Sequence, residues 1–440
     1  MDVRAVIFDL DGTLIGAPQP FSEIKEELRR RLLGMGLGEE LIGDLTPMYE
    51  SLIRISKETG MPFEELHSIQ VELEVERMKE SYAFEGTLEV LGFLRERGIK
   101  TAVVTRSCRE AALYALEKNG LAGMIDAVIA RDDVPPDQLK PNPGQLLHAM
   151  EALGVEASKT IAVGDHGYDV ISARKAGAIS VLVSGHESGR MSFSVEAEPD
   201  FEVDTMGDLL SLLQRLLSTY VVVPAYNEEK TIGKVLDDLL RYFRRDEVIV
   251  VNDGSKDGTE GIARSRGVHV LTHLVNRGLG GALGTGLSYA LRKGAELILT
   301  FDADGQHLIE DAIRVMRPVA EGRADFAVGS RLKGDVSQMP AVKRFGNAVL
   351  DVVTALFAGK YVSDSQSGLR CFSRDCAGKI RITCDRYAVS SEIIIEASKA
   401  GCKIAEVPIR AVYSEYSMKK GTNVFEGLKI ALNLLFDKLR

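Results

Sequence analysis

Residues 218–229 read STYVVVPAYNEE, and this stretch divides the chain into two halves. Its run of β-branched residues predicts a buried strand, and the Pro, Asn and Glu residues that follow predict a loop at the end of that strand. One series of alternating strands and helices is complete before it, and a second series begins here with its own first strand. Such alternation is typical of parallel α/β sheets. The sequence therefore predicts two α/β domains, residues 1–217 and 218–440.

Composition narrows the class of protein. The 440 residues carry a net charge of -10 and no block of clustered Lys and Arg, so nucleic-acid binding is not expected. The five cysteines lack the paired spacing of a zinc site, which favours free thiols in a reducing cytoplasm. No apolar run approaches about 18 residues, and the first residues lack the layout of a signal peptide. We expect a cytoplasmic enzyme whose contact with membranes, if it has any, is peripheral.

Polar side chains follow the predicted strands of the first half. The apolar residues 3–8, 100–104 and 161–163 each end in Asp, Thr or Gly-Asp, and a lysine opens the segment KPNPG. Open α/β sheets bind ligands at the carboxyl ends of their strands. The candidate site residues of this half are Asp9, Asp11, Thr105, Lys140, Asp165 and Asp169.

These motifs, in this order and spacing, resemble those of the haloacid-dehalogenase-like phosphohydrolases over about 215 residues. The resemblance implies a Rossmann-like sheet in which Asp9 attacks the phosphoryl group and Mg2+ holds the phosphoryl oxygens. It implies that Asp11 is the general acid for the leaving oxygen and then the base for the hydrolytic water. Asp165 would bind Mg2+ together with Asp9 and the main-chain carbonyl of Asp11. Thr105 and Lys140 would hold the phosphoryl oxygens.

Asp169 is expected to support the metal shell or to add to it. Residues of about 18–84 show helical periodicity, and the resemblance implies that they form a helical cap that selects the substrate. Arg54, Lys57 and Arg77 lie in this segment. They could face the pocket, but a solvent-exposed helix face is the expected position of each. The substrate is a phosphorylated small molecule of unspecified identity. A phosphatase, a phosphomutase and a module that senses a phosphorylated metabolite all remain open.

Three motifs mark strand ends in the second half: PAYNEE, NDGSKDGT and DADGQH. Together they resemble the family-2 inverting glycosyltransferases, which implies a nucleotide-sugar-binding fold of the GT-A type. The resemblance implies a divalent ion, Mg2+ or Mn2+, that stabilises the charge of the leaving diphosphate. Its expected ligands are Asp302, Asp304 and Gln306, with Asp302 also near the ribose. The role of His307 is open between a ligand and a packing residue.

The nucleotide of the donor is expected to contact the loops that follow the first two strands of this half. By resemblance, Asp253 would hydrogen-bond the base or ribose, and Pro224, Ala225 and Glu228 would line the same pocket. The stretch NRGLGG lacks the spacing of a dinucleotide fingerprint, so it predicts a loop that a ligand approaches closely.

Motifs beyond residue 328, such as GSRLKG and DSQSGLRCFS, resemble the subgroup that transfers a sugar to dolichyl or another polyprenyl phosphate. Basic residues suit a phosphate acceptor. The candidates are Arg331, Arg344, Arg370, Lys419 and Lys420. An acceptor phosphate is already ionised and needs no strong base, whereas a soluble or glycan hydroxyl acceptor does. Glu392 is the candidate base for that alternative, although the start of a helix is the favoured interpretation of this residue.

The last 20 residues, GTNVFEGLKIALNLLFDKLR, have apolar side chains at helical spacing with Lys and Arg beside them. This pattern predicts an amphipathic helix. Docking on a membrane and packing on protein are both open for it.

Overall fold

The computed structural model describes residues 1–185, 198–334, 341–383 and 389–410, without the side chains of residues 341–343 and 345. The chain divides into two compact units, one of Val3–Leu210 and one of Met1–Asp2 with Ser211–Arg440. Each is an α/β unit with its own sheet, which confirms the predicted fold class. The boundary between residues 217 and 218 stays a prediction.

The first unit contains a six-stranded sheet and a short two-stranded pair. Its strands are β1 Ala5–Phe8, β2 Ile15–Gly16, β3 Tyr82–Ala83, β4 Lys100–Val104, β5 Ala127–Ile129, β6 Thr160–Gly164, β7 Ile179–Val183 and β8 Phe201–Val203. The six-stranded sheet has the order β5-β4-β1-β6-β7-β8, and all its pairs are parallel. Phe8 at the end of β1 lies opposite Val103 and Val163. The carboxyl ends of β4, β1 and β6 therefore meet at one edge of the sheet.

Helices flank this sheet, and four more form an insertion. They are α1 Phe21–Gly34, α2 Glu39–Ile42, α3 Met48–Thr59, α4 Phe63–Met78, α5 Thr87–Glu96, α6 Arg109–Lys118, α7 Gly144–Leu153 and α8 Gly167–Ala176. A further helix, α9 Met206–Leu217, begins in this unit and ends in the second. Helices α1 to α4 lie between β2 and β3 and share an apolar core that includes Ile24, Leu28, Leu52 and Leu66. We call residues 18–84 the cap. Burial of each such side chain contributes about 1.5–3 kcal/mol, so the cap has a core of its own.

The second unit is built on a seven-stranded mixed sheet. Its strands are β9 Thr219–Ala225, β10 Val248–Asn252, β11 His269–Thr272, β12 Leu297–Thr300, β13 Phe326–Ser330, β14 Arg370–Ser373 and β15 Ile404–Pro408. Its order is β11-β10-β9-β12-β14-β13-β15. β14 runs antiparallel to both neighbours, whereas the other pairs are parallel. The start of β14 therefore lies beside the carboxyl ends of β12 and β13.

The helices of the second unit are α10 Ile232–Leu239, α11 Thr259–Ser265, α12 Gly278–Arg292, α13 Ile309–Ala320, α14 Ala341–Ala358, α15 Arg374–Lys379 and α16 Val389–Lys399. Among the described residues, no helix combines the length and the apolar character that crossing a membrane requires. The predicted C-terminal amphipathic helix lies outside the described residues.

Candidate active sites

The sheet of the first unit brings all the candidate residues of that half to one edge. Asp9 follows β1, Thr105 follows β4, and Asp165 follows β6. Lys140 lies in the loop before α7 and is 3% exposed. Its Nζ lies 2.6 Å from Oδ1 of Asp9 and 2.7 Å from Oδ1 of Asp169, and it also donates to the carbonyl of Val104. One buried ammonium therefore bridges two of the predicted carboxylates.

Negative charge exceeds positive charge around this lysine. Burial raises the pKa of Asp9 well above its usual value, Lys140 opposes this, and Asp169 and Asp165 raise it further. Burial alone would lower the pKa of Lys140, but the charges of Asp169 and Asp9 outweigh burial and raise it. Three carboxylates against one ammonium leave a net negative site that a divalent cation would complement.

The residues present fit Mg2+. Carboxylate oxygens are the hard donors that Mg2+ prefers, and it usually takes one or two carboxylates and completes its shell with water and substrate phosphate. In the described ranges no three His, Cys, Asp or Glu side chains form a ready-made metal cage. Main-chain or phosphate oxygens would therefore complete the shell around Asp9 and Asp165.

Asp165 lies directly against the main chain of Gly12. A Cβ at Gly12 would lie 2.3 Å from Oδ2 of Asp165, and Gly12 has a φ of +83°. Oγ1 of Thr13 donates to Oδ1 of Asp165 over 3.3 Å. The glycine of the DLDGT motif thus allows the loop after β1 to approach the carboxylate that follows β6.

Thr105 is buried and tied into the sheet edge. Its N–H donates to the carbonyl of Ile129, its Oγ1 accepts from the N–H of Ser107, and its carbonyl accepts from Nε2 of Gln145. A hydrogen bond from its hydroxyl to a phosphoryl oxygen stays a prediction.

Asp11 is held from two sides by residues that the sequence analysis did not assign to the site. Nη1 of Arg77, on α4 of the cap, donates to Oδ1 of Asp11. Oγ of Ser107 donates to Oδ2 over 2.8 Å. The expected solvent exposure of Arg77 is wrong, because Arg77 is 4% exposed. The sequence could have indicated Ser107, because it lies two residues after Thr105 at the end of the same strand. No sequence pattern indicated that Arg77 would pair with Asp11.

Arg54 and Lys57 differ from Arg77. The guanidinium of Arg54 is half-buried and donates to the carbonyls of Leu41 and Ile42, both within the cap. Lys57 is exposed, as expected.

In the second unit, Asp302 and Asp304 follow β12, at the centre of the sheet edge. Nε2 of His307 donates to Oδ2 of Asp302 over 3.1 Å. Burial alone would raise the pKa of Asp302, but the hydrogen bond and charge of His307, with the charges of Arg370 and Arg331, outweigh it and lower the pKa. The pKa of Asp304 is raised by burial and by Asp302.

Gln306 closes the same loop. Its N–H donates to Oδ1 of Asp304 over 3.0 Å, and its Nε2 donates to Oδ2 over 2.6 Å. Nδ1 of His307 is buried and has no hydrogen-bond partner among the described residues. Two adjacent carboxylates with an amide oxygen beside them fit Mg2+ or Mn2+. The unpaired Nδ1 of His307 is a further polar atom with which a bound ligand or water could form a hydrogen bond. In the described ranges these residues, too, complete no cage of three His, Cys, Asp or Glu side chains.

The loop before β14 also contacts this motif. A Cβ at Gly368 would lie 2.0 Å from Oδ2 of Asp302, and the carbonyl of Gly368 accepts from Oγ1 of Thr300 over 2.7 Å. Gly368 is therefore required for the position of Asp302. Gly368 was not among the residues predicted for the site, although it lies inside the motif DSQSGLRCFS.

The donor-side residues cluster at the ends of β9 and β10. Pro224 and Ala225 end β9, and the carbonyl of Ala225 accepts from the N–H of Asp253. The carboxylate of Glu228 contributes to the electrostatic environment of Asp304 and accepts from Oγ1 of Thr231. The predicted donor residues therefore adjoin the metal motif.

Asp253 is 3% exposed and its two oxygens accept hydrogen bonds within the chain. Oδ1 accepts from the N–H of Arg277 and from Nδ1 of His273, and Oδ2 accepts from the N–H of Gly278. Asp253 thus anchors the loop that precedes α12. A hydrogen bond between Asp253 and the nucleotide stays a prediction. It would have to use the same two carboxylate oxygens that accept these bonds.

The predicted acceptor arginines have three different environments. Arg331 follows β13 and forms a forked pair with Asp364, with distances of 2.7 and 2.6 Å. Arg370 begins β14 and is 1% exposed. Its Nη2 donates to the carbonyl of Ser365, and its Nε has no partner within the part of the chain that the structure describes. Burial lowers the pKa of Arg370 to about 10, and Asp302 and Asp364 oppose this. Arg344, on α14, is exposed. Lys419 and Lys420 lie outside the described residues.

Glu392 lies at the first turn of α16 and is 9% exposed. Its Oε1 accepts from both the N–H and the hydroxyl of Thr383. This arrangement matches the structural interpretation of Glu392, because the side chain anchors the segment before α16.

Two family profiles match the chain. The profile of the haloacid dehalogenase-like hydrolases matches residues 6–183, and that of glycosyl transferase family 2 matches residues 220–374. Over 224 residues the chain is 50% identical to the uncharacterized protein MJ1222 of Methanocaldococcus jannaschii, covering 50% of this chain and 92% of that protein.

Two further relatives carry functional names. A UDP-N-acetylglucosamine--dolichyl-phosphate N-acetylglucosaminyltransferase of Methanococcus voltae is 40% identical over 241 residues, covering 50% of this chain and 96% of the relative. The pyrophosphatase PpaX of Halalkalibacterium halodurans is 32% identical over 217 residues, covering 48% of this chain and 98% of the relative.

Proposed function

The chain belongs to the haloacid dehalogenase-like hydrolases through its first half and to the family 2 glycosyltransferases through its second, and from this premise we propose a bifunctional enzyme. Its second half transfers a sugar, with inversion, from a nucleotide-sugar to a polyprenyl phosphate. Its first half is a Mg2+-dependent phosphatase of a small phosphorylated metabolite. We keep residues 1–217 and 218–440 as the two proposed domains.

The observation that carries the transferase proposal is the pairing of opposite charges at one sheet edge. Asp302 and Asp304 supply carboxylates for a diphosphate-bound cation, and Arg370 and Arg331 contribute positive charge to the environment of Asp302. A substrate pair with a diphosphate on one side and a phosphate on the other matches this charge pattern. The dolichyl-phosphate transferase of M. voltae supports the polyprenyl acceptor.

In this reaction the leaving group is a nucleoside diphosphate and the nucleophile is an oxygen of the acceptor phosphate. A bound Mg2+ or Mn2+ would offset the charge that grows on the leaving diphosphate. The chain's own part is to hold the acceptor phosphate in line with the sugar, through Arg331 and the other basic residues. The acceptor is already an anion, so no side chain has to remove a proton. Oε1 of Glu392 accepts a hydrogen bond from the N–H of Thr383. This structural role agrees with a reaction in which Glu392 does not act as a base.

In the hydrolase half, Asp9 is proposed to attack phosphorus and to form a phosphoaspartyl group. Lys140 and Thr105 hold the phosphoryl oxygens and reduce their repulsion by the carboxylates. Asp11 gives a proton to the leaving oxygen and later takes one from the attacking water. Mg2+, when bound at Asp9 and Asp165, would supply further positive charge to the phosphoryl oxygens. The relation to PpaX places inorganic pyrophosphate among the substrates to be tested.

The proposed acceptor is a membrane lipid, so we propose that the protein works in the cytoplasm in peripheral contact with a membrane. Joining the two activities in one chain keeps two steps of one pathway at high effective concentration.

The transferase is tested with a panel of labelled nucleotide-sugars and a short-chain polyprenyl phosphate, in the presence of Mg2+ or Mn2+. Label should enter the lipid with the intact protein and not with the Asp304→Asn variant. Binding of a nucleotide-sugar that Asp304→Asn abolishes, without any lipid product, would keep the donor site and reject the polyprenyl acceptor.

The hydrolase is tested by phosphate release from a panel of sugar phosphates, phosphoglycolate, pyrophosphate and aryl phosphates. Turnover should require Mg2+ and be lost in Asp9→Asn. Interconversion of sugar phosphates without release would identify a phosphomutase. Binding of a phosphorylated metabolite without any turnover would identify a sensing module.

A further inference from the structure

Arg77 joins the cap to the acid-base residue of the hydrolase site. It lies in the last turn of α4, the last helix of the cap. Its Nη1 donates to Oδ1 of Asp11, its Nε donates to the carbonyl of Gln19 over 2.9 Å, and its guanidinium lies 4.1 Å from the ring centroid of Phe21. The side chain is 3% exposed. Three contacts therefore hold this guanidinium in one orientation.

The carboxylate of Asp11 is fixed between the cap and the sheet. Arg77 contacts one oxygen from the cap, and Oγ of Ser107 contacts the other oxygen over 2.8 Å from the loop after β4. Any rotation of the Asp11 side chain about its Cα–Cβ bond breaks at least one of these bonds. With both bonds in place, a single rotamer of Asp11 is favoured, and acid-base catalysis depends on such a fixed position. Each oxygen has two lone pairs, so the second lone pair of one oxygen carries the proton that Asp11 gives to the leaving oxygen.

We propose that Arg77 is a positioning residue that acts through Asp11, so that the cap supplies part of the acid-base machinery in addition to covering the site. The inference rests on the proposed hydrolase function of the first half. It assigns no direct contact between Arg77 and the substrate. The positioning contact exists only while the cap lies over the sheet as it does in this structure.

The geometry separates this role from ordinary packing of the cap. A buried guanidinium is costly unless it is paired, and Arg77 has its charged partner outside the cap. Arg54 offers a contrast, because its guanidinium donates to carbonyls within the cap. A planar fork also fixes a carboxylate more precisely than an ammonium does, so Lys at position 77 should be a partial substitute.

The test compares aryl phosphates whose leaving groups differ in basicity. Departure of a poor leaving group needs the proton of Asp11, whereas departure of a good one does not. Arg77→Gln should lower kcat/KM by at least about tenfold for phenyl phosphate and by less than about threefold for 2,4-dinitrophenyl phosphate. Asp11→Asn should show the same pattern, and adding Arg77→Gln to it should cost less than about threefold more. Arg77→Lys should recover part of the loss for phenyl phosphate.

Arg30→Gln is the matched control, because the side chain of Arg30 lies in α1 of the cap and is 75% exposed. It should leave both substrates unaffected. An equal loss for both leaving groups in Arg77→Gln, or a full additional loss in the Asp11→Asn background, would show that Arg77 only stabilises the cap and would overturn the inference.

Failure of the proposed function has a different signature, which is the absence of turnover by the intact protein. The inference is then still decided by crystal structures of the intact chain and of Arg77→Gln. We expect the carboxylate of Asp11 to leave Oγ of Ser107 in the variant. An Asp11 side chain that keeps its position without Arg77 would refute the positioning role.

Discussion

Nζ of Lys140 lies 2.6 Å from Oδ1 of Asp9, the residue proposed to attack phosphorus. The same ammonium bonds Asp169, so it balances a site in which carboxylates outnumber cations. Lys140→Met removes this charge at nearly constant volume. We expect phosphate release to fall by at least about 100-fold, because the phosphoryl oxygens lose a charged donor and meet unbalanced carboxylates. Initial rates at saturating Mg2+ measure the effect.

Lys57→Met is the control for Lys140→Met, since Lys57 is an exposed lysine of the cap. It should keep the rate of the intact protein. If the rate of phosphate release fell by less than tenfold in a folded Lys140→Met variant, Lys140 would not be a catalytic residue.

Gly12→Ala tests the close approach of the loop after β1 to Asp165. The new Cβ would lie 2.3 Å from Oδ2 of Asp165, and the residue has a φ of +83°. We expect loss of nearly all phosphatase activity and a weaker dependence of thermal stability on Mg2+, because Asp165 has to move. Phosphate release and unfolding temperature with and without Mg2+ are the measurements.

Gly36→Ala is the control that separates two effects of Gly12→Ala, the contact of the new Cβ with Asp165 and the backbone strain of a positive φ. Gly36 has a φ of +87°, and a Cβ there would meet nothing within 4 Å, so its substitution costs conformational energy alone. Retained activity in Gly36→Ala and lost activity in Gly12→Ala attribute the effect to Asp165. Equal losses in the two variants would attribute it to strain.

The sequence predicts those parts of the sites that follow from strand ends. Asp9, Thr105 and Asp165 meet because three parallel strands are neighbours, and Asp302 follows a strand in the same way. The pairing of Arg77 with Asp11 spans 66 residues and depends on how the cap packs, which periodicity does not determine. Local patterns therefore bring the candidate catalytic residues into view but not the residues that hold them.

The second sheet shows a different limit of prediction. Arg370 stands at the start of a strand, and a parallel strand would place it at the edge opposite Asp302. β14 runs antiparallel instead, with Thr300 opposite Arg370, so the arginine lies at the site. Strand direction depends on the whole topology of the sheet, and the sequence of β14 contains no signal for it. The resemblance to known transferases, and not the strand pattern, pointed to Arg370.

Gly368→Ala should abolish sugar transfer and leave phosphate release unchanged. The added Cβ would lie 2.0 Å from Oδ2 of Asp302, so the carboxylate has to move away from its bond with His307. Transfer of label into lipid and phosphate release are measured on the same preparation. We expect at least about a 100-fold loss of transfer, as for removal of a charge-stabilising group.

Gly378→Ala is the matched control for Gly368→Ala, because a Cβ at Gly378 meets nothing within 4 Å and the residue lies in α15. It should retain transfer. If Gly368→Ala transferred sugar at a normal rate, Asp302 would not need the position that it has here.

Glu392→Gln distinguishes the two acceptor classes. Oε1 of Glu392 accepts two bonds from Thr383, and glutamine retains an oxygen that can accept them while it loses the basic carboxylate. If the acceptor is a polyprenyl phosphate, no base is required, and transfer should stay within about threefold of the intact protein. If the acceptor is a hydroxyl and Glu392 is its base, transfer should fall by about 100-fold or more. Glu396→Gln, one turn further along α16, controls for a change of charge in this helix. If sugar transfer fell strongly in Glu392→Gln but not in Glu396→Gln, the proposed polyprenyl phosphate acceptor would be rejected in favour of a hydroxyl acceptor.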